Sequence, residues 1–261
     1  MTVSRASVVG LAVGVACMAG AAHAEPPKQV STDTSKLDKD GVVIQPPAGP
    51  HSKNKLCCGY PVAGPDGATL TYYWLAVEAA YLDPEPGAIP LSGAAGRIPA
   101  DRYTELYTRD GYFFAHVSER FSFALRVEGS GVLADDRVVN YDGKCKFGIG
   151  TCFEELDVKR FPFGRGNQDR PLVPFKSVAV DTRVIPIGEP IYLPELDGLV
   201  LPDGTIHDGC VRADDTGGHI IGHHIDFFVV TYENFKFLLE ETSGLGRVTP
   251  ILEEPRCRYL R

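Results

Sequence analysis

The sequence predicts a mainly β fold, a barrel or a sandwich rather than a helical domain. Short segments rich in aromatic and β-branched residues follow one another from Thr69 onward. Turn signals such as Asp110-Gly111, Glu128-Gly129 and Asp142-Gly143 punctuate them. Late in the chain, Tyr232 to Leu239 carries an apolar stripe at helical spacing, which predicts a short peripheral helix.

The elements are justified in chain order. Residues 1–24 read as a secretory signal peptide. Arg5 gives a basic start, Ala6 to Ala22 a run of apolar and small residues, and Ala22-His23-Ala24 a cleavage site before Glu25. Val15-Ala16-Cys17 offers only a poor lipid-attachment box, so a lipoprotein is the weaker alternative. The run is short and no second one follows, so no transmembrane segment is expected in the mature chain. Residues 25–67, rich in Pro, Lys, Ser, Asp and Gly, read as a flexible leader. The folded domain is expected over residues 68–261.

Within that domain Thr69 to Val77 reads as a strand, with a short helix as the alternative, and Pro84 to Gly96 as a turn-rich loop. Tyr103–Tyr107, Gly111–Val117, Phe121–Val127 and Arg137–Tyr141 are further expected strands. The Gly- and Pro-rich stretch Phe161 to Pro174 either lines a groove or connects strands. Ser177–Val180, Pro190–Leu193, Thr205–Ala213 and Ile225–Thr231 complete the strand set, with Leu199-Val200 and the Asp203-Gly204 turn forming a hairpin arm. Phe235, Leu238 and Leu239 suit the late helix to covering one barrel end. No repeat at a solenoid period is visible.

Composition narrows the partners. The chain of 261 residues has 26 Lys and Arg against 34 Asp and Glu; removing Arg5 with the signal leaves 25 against 34, or −9. No basic stripe exists, so nucleic acid is excluded as an expected partner, and an anionic membrane offers no attraction. Without Cys17, six of the seven cysteines remain, an even number that favours disulfides in an exported chain. Cys145 with Cys152 is the first expected pair, and Cys210 with Cys257 the second, looser one. A zinc site is the weaker reading of these spacings.

The densest chemistry lies in SVAVDTRVIPIG and CVRADDTGGHIIGHHIDFFVV, residues 177–188 and 210–230. Asp181, Asp215 and Asp226 sit among short apolar runs, where a carboxylate needs a reason because an unpaired charge out of water is expensive. Strand alternation sends Asp226 and Phe228 to one face, and Ile225 and Phe227 to the other. A partly apolar cleft around Asp226 would raise its pKa by desolvation, as general acid–base work requires. The competing reading has the aspartates capping turns; it suits Asp215, which precedes Thr216-Gly217-Gly218. Thr71 and Tyr73 either contact substrate from the barrel wall or pack the strand. His219, His223 and His224 lack the H-E-x-x-H spacing of a zinc protease, so neither a metal nor a cofactor is expected.

These motifs, with TYYW at Thr71 to Trp74 and NYDGKC at Asn140 to Cys145, resemble the three-aspartate (3D) domain of bacterial cell-wall proteins. They also resemble the catalytic barrel of the membrane-bound lytic transglycosylase A family. The resemblance covers residues 177–230. It implies a double-psi β-barrel with loop insertions, to which NYDGKC would add a segment. It further implies a peptidoglycan partner, with cleavage of the MurNAc–GlcNAc linkage to a 1,6-anhydro product. Asp226 matches the family's acid/base. Asp215 and Asp181 match the other two aspartates, and Asp214 is an extra neighbour. Thr71, Tyr73, Thr216, Gly217 and Gly218 become expected substrate-binding positions, and the protein is expected to be exported. A polysaccharide hydrolase and a non-catalytic wall-binding module are the alternatives.

Overall fold

The structure, a computed structural model, describes residues 59–64, 66–81, 98–99 and 101–261. The signal segment, most of the leader, Cys57-Cys58 and the whole of the expected Pro84–Gly96 loop lie outside the described residues. In chain order the strands begin with β1 (Tyr60–Pro61), β2 (Ala68–Tyr73), β3 (Ala76–Val77), β4 (Tyr103–Tyr107) and β5 (Phe113–Ser118). Helix α1 (Glu119–Glu128) follows, then β6 (Ser130–Val132), β7 (Val138–Lys144), β8 (Thr151–Glu155) and β9 (Ser177–Val180). The chain continues through β10 (Pro190–Val200), β11 (Ile206–Asp215), β12 (His224–Phe228), helix α2 (Tyr232–Glu241), β13 (Arg247–Val248) and β14 (Ile251–Leu252).

The fold is mainly β. Eight strands form one sheet in the order β1-β14-β10-β11-β9-β12-β2-β13. The sheet curls about a single apolar core to which most of its strands contribute, including Leu70, Val178, Val180, Ile191, Val211, Ile225 and Phe227. Leu238 of α2 joins that core and Phe235 packs against it, so the late helix covers the sheet, but Leu239 of the expected stripe is exposed. Thr231 caps α2 by accepting from the Asn234 N–H at 3.1 Å. β10 and β11 run antiparallel through a hairpin whose register closes at Val200 and Ile206. Tyr60–Pro61 pairs with Ile251–Leu252, so strand pairing begins inside the stretch expected as leader.

A second sheet, β3-β6-β7-β8, and the β4–β5 ribbon make a smaller lobe with its own core around Phe121, Leu125, Leu106 and Phe153. Two expectations are corrected in this lobe. Phe121 to Val127 is part of helix α1 and not a strand. Phe121, Ala124 and Leu125 are buried at helical spacing, and the Ser118 hydroxyl accepts from the Phe121 N–H at 3.1 Å. Gly129, at φ +83°, ends the helix in a conformation that favours glycine. NYDGKC belongs to β7 in the four-stranded sheet, paired with β6 and β8, and adds nothing to the eight-stranded one.

Among the described residues two disulfides are present, Cys145–Cys152 and Cys210–Cys257. The second joins β11 to the C-terminal turn Pro255–Leu260. No described helix is long and apolar enough to cross a membrane.

Candidate active site

The site is built on a row of residues crossing four strands. Asp226 on β12 lies opposite Ala179 on antiparallel β9 and opposite Thr71 on parallel β2. Ala179 in turn lies opposite Asp215 on β11. Residues in register share a face, so Asp215, Ala179, Asp226 and Thr71 all project from one side of the sheet. The other side takes Ile225 and Phe227 into the core, as alternation predicts, while Phe228 packs with Tyr73 and Ala179 on the side of Asp226.

Asp215 owes its place to an irregularity. The β9–β11 register slips between Ala213 and Asp215, so Asp214 is the extra residue of a β-bulge. Without the slip, Asp214 would stand opposite Ala179. Asp214 is instead fully buried. Its carboxylate is held by the Arg212 Nε at 2.6 Å and the Ser177 hydroxyl at 2.6 Å, with Arg170 at 3.6 Å. A buried carboxylate with this many donors is satisfied and structural. The sequence shows only an Asp-Asp doublet here; the bulge gives the two residues separate tasks.

The row faces a cleft of about 860 Å³. Tyr73, Ala179, Asp215, Asp226 and Thr216-Gly217-Gly218 line one wall, and α1 with β7 lines the other. Loop residues Arg165 to Asn167 also line it, so the Phe161–Pro174 stretch reaches the groove. Gly166 lies so close to the Asp214 carbonyl that a Cβ there would overlap it. Asn167 donates to the Thr216 hydroxyl at 3.1 Å, joining this loop to the turn after Asp215.

Asp226 is half-buried, and the loss of water raises its pKa. The Thr71 hydroxyl donates to its Oδ1 at 2.6 Å, and the neighbouring His224 opposes the shift electrostatically. Thr71 has only one hydroxyl proton. Once that proton is given to Asp226, the Thr71 oxygen accepts from the His224 Nε2–H, 2.8 Å away. Thr71 is thus occupied in aiming Asp226, and one carboxylate oxygen, Oδ2, is left for the cleft.

Asp215 is pushed up to about 7, chiefly by burial, with the charges of Asp226 and Asp214 adding to it. The Thr216 N–H, 2.8 Å from Oδ1, works against this. The Tyr73 hydroxyl is buried beside Asp215 without a hydrogen bond of good geometry, and burial holds it well above the usual phenol range as a proton donor. Gly218 has open space where a Cβ would stand, so it imposes no packing constraint on the cleft wall.

Asp181 does not join this group. Its carboxylate takes a bidentate ion pair from Arg183, with Nε to Oδ1 at 2.9 Å, and accepts the Gly222 N–H at 2.6 Å. The Arg183 side chain and the Gly222 amide hold it far below the usual carboxylate range. It borders a separate small pocket with Ile185 and Pro250. Gly222, at φ +68°, turns its N–H to Asp181 in a conformation that suits glycine. The arrangement ties the end of β9 to the loop before β12.

One cleft residue carries no motif in the sequence. Glu128, the last residue of α1, lines the wall facing the row and accepts the Trp74 N–H at 3.2 Å. A carboxylate at a helix C-terminus opposes the helix dipole, and that placement is the sequence signal that singles it out. Among the described residues no three His, Cys, Asp or Glu side chains converge as a metal-holding group.

The model of the 3D domain matches residues 176–237, which contain Asp181, Asp215 and Asp226. Several solved structures are similar. Escherichia coli MltA with bound chitohexaose is 15% identical, with a TM-score of 0.43, over 72% of this chain and 71% of that one. A membrane-bound lytic murein transglycosylase from Agrobacterium tumefaciens is 20% identical, with a TM-score of 0.38, over 58% and 54%. The lytic transglycosylase LtgG of Burkholderia pseudomallei is 18% identical, with a TM-score of 0.32, over 73% and 66%. No curated protein matches the chain.

Proposed function

From the premise that residues 176–237 constitute a 3D domain, we propose that this protein is an exported lytic transglycosylase acting on peptidoglycan, with Asp226 as its acid/base. We further propose that its curled sheet is a double-psi barrel. The observation that carries the reading is the setting of Asp226. It stands mid-row on a cleft wall, withdrawn from water, with one oxygen fixed by Thr71 and the other left for substrate.

In the acid form Asp226 gives its proton to the oxygen bridging MurNAc and GlcNAc as the bond from that oxygen to C1 breaks. The resulting carboxylate then takes the proton of the MurNAc 6-hydroxyl, whose oxygen closes on C1. No water is consumed, and the product is a 1,6-anhydro sugar. One group serves both steps because its pKa lies between those of a free carboxylate and a strong base. Asp215, two strands away, feels the charge of Asp226, which helps burial to raise it to about 7. Tyr73, Thr216, Gly217 and Gly218 border the path of the glycan, while Thr71 positions the acid. Asp181 supports the loop that leads into β12. Two disulfides suit an oxidising compartment outside the cytoplasm.

The spacing of Asp215 and Asp226 favours one second reading. Two strand intervals set their backbones roughly 10 Å apart, which leaves room for a water between the carboxyls, as inverting hydrolysis needs. Digestion of peptidoglycan by the mature protein, with products identified by mass spectrometry, separates the readings. Anhydro-muropeptides from the parent protein and none from Asp226→Asn are the expected result. Ordinary reducing ends would replace the proposal with hydrolysis, and binding without products would replace it with a glycan-binding module.

A further inference from the structure

Glu128 lies outside the 3D match and outside the acid/base row, yet it faces that row across the cleft. Its Oε2 is fixed by the Trp74 N–H, at the end of the strand that carries Thr71 and Tyr73. Its other oxygen has no hydrogen-bond partner among the described residues, and no ion pair reaches it there. Arg126 lies two positions earlier on the same helix, where side chains do not face each other.

We propose that Glu128 contacts the glycan as a carboxylic acid, donating its proton to a sugar oxygen from the wall opposite Asp226. The inference rests on the reading of the cleft as a glycan site.

The surroundings favour the acid form. The negative end of α1 disfavours a carboxylate at its last residue. Asp226 on β12 contributes like charge, Asp215 on β11 lines the same cleft, and the Tyr81 phenol is held protonated in part by Glu128 itself. The cations of the cleft are spoken for or turned aside. Arg165 is paired with Glu154 and Asp169, Arg126 lies over the Phe123 ring, and His219 makes no ion pair with Glu128. Burial, with Asp226 adding to it, raises Glu128 from the ordinary 4.5 to about 8, while the Trp74 N–H pulls the other way. A neutral carboxyl supplies what a carboxylate cannot, a hydrogen-bond donor on the oxygen free to reach the cleft. Glycans present hydroxyl and acetamido oxygens that accept such a bond.

The test measures chitohexaose binding to the Asp226→Asn protein by calorimetry from about pH 7 to about pH 10, so that neither turnover nor Asp226 titration intervenes. If only the protonated form binds, the apparent Kd rises with the fraction deprotonated, about tenfold one unit above the Glu128 pKa. Replacing Asp226 removes a like charge, so the midpoint falls at or somewhat below 8. Adding Glu128→Gln, which keeps one acceptor for Trp74 and one donor for the sugar, should abolish the pH dependence above about pH 8, where Asp215, at about 7, is already ionised. Adding Glu128→Ala should weaken binding at the lower pH. Binding independent of pH before Glu128 is changed, or a fall above about pH 8 that persists in Glu128→Gln, would overturn the proposal while leaving the glycan reading intact. No binding at any pH would overturn both.

Discussion

Replacing Thr71 with Val removes the one side-chain hydrogen bond that Asp226 accepts, a contact of 2.6 Å. A hydrogen bond to an ionised group contributes about 1.5–3 kcal/mol, and 1.36 kcal/mol corresponds to one pKa unit. Asp226 is half-buried, so solvent replaces part of the loss and a rise of about one unit is expected. The bond favours the carboxylate; losing it therefore raises the Asp226 pKa. The first proposed step requires the acid form, which now persists to higher pH. The alkaline limb of kcat/KM, measured by release of anhydro-muropeptides, should move up by about one unit. Making the comparison in the Glu128→Gln background prevents the second carboxyl from truncating the limb. Val is close to Thr in shape, and Thr71 faces the row rather than the core. An unmoved limb, or one that moves down, would refute the assignment of Asp226 as the proton donor tuned by Thr71.

Other predictions follow from the same geometry. Asp226→Asn should lower turnover by about 10²–10⁴-fold, the usual worth of general acid–base catalysis, while leaving the circular dichroism spectrum unchanged. Cys257→Ser opens a link spanning 47 residues and should cost about 2–4 kcal/mol in a denaturant titration. Reductant should lower the stability of the variant less than that of the parent. Asp181→Asn should lower Tm, because the Arg183 and Gly222 ties weaken, without displacing the alkaline limb of activity. For Glu128, whose folded pKa lies above its ordinary value, the native state holds a proton that the unfolded chain releases. Its contribution to stability therefore falls as pH rises between about 4.5 and 8, and Glu128→Gln should flatten the decline in Tm across that window.

Much of the eight-stranded sheet is legible because its strands alternate. β9 and β12 stand where their apolar positions predict, and Asp226 faces away from Ile225 and Phe227 as a period of two requires. Cysteine pairing followed from proximity for Cys145 and Cys152, whereas Cys210 and Cys257 needed the fold to bring them together. In sequence the α1 segment also suits a strand, because Phe, Val and Leu fit either element. The deciding facts were the Ser118 cap and the burial of Phe121, Ala124 and Leu125 on one face. Asp181 looked equivalent to Asp215 and Asp226 in sequence, and its separation from them depends on Arg183 two residues later. Glu128 stayed hidden because its importance lies across a cleft whose two walls are far apart in the chain.

The strand order has a consequence for what counts as a working unit. Asp226 lies in β12, but its neighbour on one side is β2, supplied from residues 68–73, with the smaller lobe threaded between them in the chain. Residues 176–237 taken alone would keep all three aspartates and lose Thr71, Tyr73 and the wall that carries Glu128. They would also leave one edge of β12 unpaired, open to adventitious strand addition. The recognisable segment is therefore half of a split device, and the smallest excisable piece must include residues from both ends of the described chain. The same threading makes the smaller lobe an exchangeable jaw. Its replacement would alter the wall contributed by α1 and β7 while leaving Asp226 and Thr71 on the frame that holds them.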